Sequence, residues 1–136
     1  MRAVFIFLAL TVLIPACKKY EEGPSISILS KMERLTGEWD ALRYFENGVQ
    51  FQLPVEVITM KMARDGTFQK ITCGANTYST NSVSGNWAFS DDKESLMLTY
   101  SASNTETWAI KRLTNNQLFI ETTQPGGSIV RYEFVK

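Results

Sequence analysis

The chain has no histidine, only two cysteines and only four prolines in 136 residues. Without histidine it lacks the side chain that most often acts as a general base near neutral pH and as an imidazole metal ligand. It also lacks a glycine-rich phosphate cradle, a serine elbow and paired-cysteine metal spacing. No cofactor, metal or enzyme activity is therefore expected. Fourteen Lys and Arg balance fourteen Asp and Glu, so no basic surplus marks a nucleic-acid surface, and nucleic acid is not an expected partner. The acid pairs Glu21-Glu22 and Asp91-Asp92 stand in polar stretches, where solvated charge is their ordinary meaning. A chain of this length holds one domain with a single core.

The longest apolar run lies at the start. After Met1 and Arg2, residues 3 to 16 carry no charge and end in Pro15-Ala16, just before Cys17. A short basic segment, an apolar stretch and a small-residue end make residues 1–16 a signal peptide. The run is shorter than the roughly 20 residues that a spanning helix needs. Removing Arg2 with the leader leaves one more acid than base.

Ile14-Pro15-Ala16-Cys17 resembles the lipobox of bacterial lipoproteins. The resemblance implies acylation at Cys17 and anchoring in a membrane, because each buried methylene contributes about 0.8 kcal/mol. A plain signal peptide that ends near a cysteine is the alternative. With Cys17 lipidated, Cys73 has no partner for a disulfide and the fold rests on its core. Residues 17–26, polar and closed by Gly23-Pro24, read as a lipidated N-terminus and flexible tether. Their acids resemble the export signals of Bacteroidetes-type lipoproteins, which implies a cell-envelope, outer-membrane location.

Residues 27–136 form the expected domain. Ile28, Leu29, Met32 and Leu35 recur at helical spacing, with Ser27 or Ser30 as a cap. From Glu38 the period becomes two. Strands are expected at Trp39–Phe45, Val55–Ala63, Thr67–Cys73, Gly85–Ser90, Ser95–Ser101, Thr105–Leu113, Gln117–Thr123 and Ser128–Lys136. Eight strands joined by hairpin-scale connections predict an all-β, antiparallel up-and-down barrel preceded by a short helix. A two-sheet sandwich is the rival architecture.

Gly37-x-Trp39 at the first strand resembles the lipocalin-like fold. Asp65-Gly66-Thr67-Phe68, Ser84-Gly85-Asn86-Trp87, Trp108-x-Ile110-x-x-Leu113 and Tyr132-x-Phe134 resemble the small lipocalin-like lipoproteins. The resemblance implies that Trp39 points inward and that an arginine near the last strand, here Arg131, stacks on its indole. Arg43 is then expected to share the face of Trp39, and Arg112 that of Trp108 and Ile110. An inward guanidinium would suit a carboxylate. Arginines at strand ends, paired with Glu38, Glu121 or Glu133 and covering a tryptophan ring, are the structural alternative.

A non-enzymatic binding module follows from these features. Trp39, Arg43, Trp87, Tyr100 and Trp108 are the candidate ligand-binding residues, for a small apolar or amphipathic ligand. A filled barrel that recruits an envelope protein partner through the long loops 47–54 and 74–84 is the alternative. Thiol chemistry at Cys73 is a third reading, weaker because a lone strand cysteine is usually a small apolar residue.

Overall fold

A computed structural model describes residues 29–53, 56–74, 79–101 and 104–136. The expected leader, Cys17 and the tether lie outside the described residues. Helix α1 (Lys31–Leu35) opens on a capping box, in which Ser30 accepts from the Glu33 backbone and Glu33 reaches back to the Ser30 backbone. The bonds that Glu33 Oε2 accepts from the Ser30 backbone and from its hydroxyl hold this carboxyl below its ordinary pKa, the backbone bond most. Ser30 is thus the cap, and α1 buries Leu35 and Arg34.

Nine strands follow: β1 (Gly37–Glu46), β2 (Val49–Phe51), β3 (Glu56–Met62), β4 (Thr67–Gly74), β5 (Thr80–Phe89), β6 (Ser95–Ser101), β7 (Asn104–Leu113), β8 (Gln117–Thr123) and β9 (Ile129–Val135). Each pairs antiparallel with its neighbour, and β9 returns to β1, closing the sheet. The barrel still has eight staves, because β2 and β3 both lie on the same edge of β1. The extra strand comes from Asn47-Gly48, both at positive φ, which make a two-residue hairpin turn. Two expected boundaries are therefore corrected. Part of loop 47–54 is β2, and residues 80–84 of loop 74–84 belong to β5, held by a full ladder to β4.

One end is closed by tight turns and by α1. At that end Trp87 donates from Nε1 to Ala63 O at 2.9 Å and from its backbone to Gly66 O at 2.7 Å. Trp39 Nε1 donates to Leu35 O at 2.7 Å. The Lys136 ammonium reaches Arg34 O at 2.6 Å and Thr36 O at 2.8 Å, satisfying carbonyls at the end of α1, and sits 4.6 Å from the centre of the Trp39 ring. Lys136, not Arg131, therefore covers the indole. Trp39, Leu35, Leu96, Leu113, Leu118, Ile120 and Phe134 are all under 2% exposed, so this half is filled by side chains. Each such aliphatic side chain contributes about 1.5–3 kcal/mol by burial.

The other half flares. The ladders β3–β4, β4–β5 and β8–β9 each run seven pairs. The ladders β1–β3, β5–β6 and β7–β8 run four each, all toward the closed end. The mouth therefore divides into three leaves: β3–β4–β5, β6–β7, and β8–β9–β1–β2. Gly85 marks the first seam. A Cβ there would collide with Thr99 O and lie 2.8 Å from the Phe68 ring, so only glycine lets β5 cross so close before leaving β6.

Candidate functional site

Strand alternation, carried from the buried residues through the ladders, assigns each side chain a face. In β4 the buried Phe68 puts Lys70 and Thr72 on the inner face, and their ladder partners Val83 and Asn81 share it. In β7 the buried Trp108 puts Glu106 inward, opposite Leu98. Tyr100 also faces in, its ring edge-on to Phe68 at 5.2 Å. Above Gly85 these groups border a cavity of about 330 Å³ in the β5–β6 seam, completed by Asn104. A second hollow of about 450 Å³ opens in the β7–β8 seam between Thr105–Trp108 and Thr122–Pro125. Glu106 lines both. A bond from Thr122 Oγ1 to Thr107 O at 2.9 Å still bridges that second seam.

Glu106 is the organising group. Its Oε2 accepts from Trp108 Nε1 at 3.1 Å and from the Tyr100 hydroxyl at 3.2 Å. Burial pushes the Tyr100 phenol well above its ordinary pKa, and the Glu106 charge and hydrogen bond add to the rise. On the far leaf the half-buried Lys70 has no ion-pair partner within 4 Å among the described residues. On the β8–β9–β1–β2 leaf, Tyr44 packs on Tyr132 at 5.1 Å and donates toward Glu46 at 3.5 Å. Phe51 on β2 faces the same space, 6.2 Å from Tyr44.

The residues singled out from the sequence separate. Trp39 and Trp87 belong to the filled end, where each indole N–H is spent on a backbone carbonyl. Tyr100 and Trp108 meet through Glu106 in the flared half. Arg43 does not share the face of Trp39. A bulge at Leu42 adds one residue to β1, so Ala41 pairs with Phe134 but Arg43 with Glu133, and every later side chain changes phase. Arg43 lies outside, half-exposed, 3.3 Å from Glu133. Arg131 reaches the same carboxylate at 3.2 Å and stacks on Phe45 at 4.2 Å. A second bulge, at Lys111, turns Arg112 outward onto Phe119 at 5.0 Å, where it donates to Gln117. Thus neither Arg43 nor Arg112 places a guanidinium inside the barrel.

Cys73 lies opposite Thr80 on the outer face of the β4–β5 hairpin, half-buried, its sulfur 3.7 Å from the Thr80 hydroxyl. Among the described residues no cluster of three or more His, Cys, Asp or Glu is arranged to hold a metal. Lys70, Thr72 and Glu106 escaped the sequence reading, although period two from Phe68 and Trp108 marks them as inward.

Neither a protein-family model nor a curated protein matches this chain. Among solved structures, bovine odorant-binding protein in complex with a selenium-containing odorant is 16% identical, over 77% of this chain and 74% of that one, with a TM-score of 0.49. The same bovine protein with its natural ligand is 16% identical over 85% and 77%, with a TM-score of 0.48. At these values nothing about the ligand, site or family of this chain follows from the likeness.

Proposed function

We propose that this chain is a lipid-anchored envelope protein and a non-enzymatic binding module, holding a small amphipathic ligand in the flared half of its barrel. The observation that carries the reading is the cavity of about 330 Å³ above Gly85, set beside a half that side chains fill. Its size lies at the small end of the range for ligand sites, about 300–1,000 Å³. Its lining joins an apolar Val83 and the Tyr100 ring to polar side chains from β4, β5 and β7. The anchor rests on the leader and on Cys17. Leu29 precedes α1 at the closed end, where Lys31 donates to Lys93 O. A tether leaving from there keeps the mouth clear of the bilayer.

Native mass spectrometry of protein purified gently from its own cells tests the reading. A small-molecule adduct is expected on the wild type and absent from Val83→Trp, whose indole would occupy the cavity. A bare mass for both proteins would overturn it.

The exposure of Val49 (59%) and Phe51 (48%) on the β1–β2 hairpin favours a second reading, contact with an envelope protein through residues 47–54. Shortening this hairpin should then release a co-purifying partner while leaving the adduct in place. Retention of every partner would dismiss it.

A further inference from the structure

We infer that the cavity above Gly85 selects a zwitterion, a ligand that presents an ammonium to Glu106 and a carboxylate to Lys70 across an apolar body. The inference rests on the ligand-binding reading above and names the class that would fill it. Glu106 is prepared for this task. Two donors, the Trp108 indole and the Tyr100 hydroxyl, converge on Oε2 and fix the carboxylate. No described group donates to Oε1. A carboxylate held by one oxygen and open at the other is an oriented acceptor for a cationic donor.

Lys70 supplies the opposite charge from the facing leaf. It stands between Met60 and Val83 in the β3–β4–β5 ladders, so its stem has apolar neighbours, and it lines the cavity. Glu106 and Lys70 line the same space without forming an ion pair within 4 Å. A ligand of matching charge separation can therefore bridge them. Val83 and the face of Tyr100 lie between, and suit an apolar or aromatic body. The amide and hydroxyl of Asn81 and Thr72 border the Lys70 side as further donors. An uncharged hydrocarbon would gain nothing from the open Glu106 oxygen or from the Lys70 ammonium, so it forgoes the charge-assisted bonds that a zwitterion makes.

Four probes of one shape test this by titration calorimetry on the full chain: L-phenylalanine, 3-phenylpropionate, 2-phenylethylamine and 2-phenylethanol. L-Phenylalanine is expected to bind at least about tenfold tighter than either singly charged analogue, with 2-phenylethanol weakest. Lys70→Met should erase its advantage over 2-phenylethylamine, and Glu106→Gln its advantage over 3-phenylpropionate. Lys70→Gln serves as a second variant if Lys70→Met fails to fold. Binding of 2-phenylethanol as tight as that of L-phenylalanine would overturn the inference and leave the binding module standing. Failure of all four probes at millimolar concentration would overturn the inference too, while a natural adduct in the mass spectrum would keep the broader reading alive.

Discussion

Gly85→Ala places a single methyl at the seam on which the flared half depends. The added Cβ collides with Thr99 O, which is backbone, and comes within 2.8 Å of the Phe68 ring, which is 3% exposed and cannot swing into solvent. Relief must come from moving β5 away from β6, and only four residue pairs, Asn86–Phe89 with Leu96–Thr99, hold those strands together. Forcing extra atoms into a packed site costs about 1–3 kcal/mol. For a domain near 100 residues that corresponds to roughly 4–8 °C in Tm per kcal/mol. Urea unfolding followed by tryptophan fluorescence should therefore show a lower midpoint with an unchanged slope. The reasoning predicts a much smaller effect for Gly126→Ala, where a new Cβ meets nothing within 4 Å. Equal midpoints for Gly85→Ala and wild type would refute the close approach of β5 to β6, and with it the physical origin of the seam.

Two further outcomes follow. Arg43→Ala should cost at most about 1 kcal/mol, because its side chain is 52% exposed and its partner Glu133 keeps Arg131. Ligand binding should be unchanged; loss of binding would put the guanidinium back inside the barrel. Tyr100 gives a pH test. A phenol whose pKa is raised in the folded state keeps its proton where the unfolded chain, near pH 10, loses it, so stability is full below about pH 10 and falls as pH rises above it. Absorbance titration of the tyrosines should show Tyr100 missing from the group ionising near pH 10. In Tyr100→Phe the amplitude near pH 10 should stay the same, and a fall in that amplitude would show that Tyr100 titrates normally.

The barrel was legible because its signals are local. Alternation located the staves, and Asp65-Gly66, Asp91-Asp92 and Asn115-Asn116 placed the tight turns at the end that α1 covers. Phase was harder. Period-two counting from Trp39 puts Arg43 inside, and one bulged residue at Leu42 reverses the answer. The bulge at Lys111 does the same to Arg112. Nothing in either residue's chemistry announces a bulge, since it arises from how two distant strands accommodate their twist. The β1–β2 hairpin is a different case. Asn47-Gly48 is a strong turn signal, and the strand after it, Val49–Phe51, is too short at three residues for alternation to mark it.

The candidate site was half legible. Tyr100 and Trp108 stood out as aromatics in strands. Their partner Glu106 was passed over because a charge beside a tryptophan reads as surface. It tolerates the inner face because the short β5–β6 and β7–β8 ladders leave that end open to water. The covering of Trp39 by Lys136 was out of reach too, since it depends on the last strand and α1 meeting at the closed end.

Amide hydrogen exchange along β5 tests the central claim, a barrel closed at one end and divided at the other, most directly. Amides of Asn86–Phe89 that face β6 should exchange only by global unfolding, while those of Thr80–Ser84 on the same edge should exchange at least about tenfold faster and slow when ligand fills the seam. Uniform protection from Thr80 to Phe89 would mean that β5 and β6 stay paired to the mouth, and there would be no cavity for a ligand to enter.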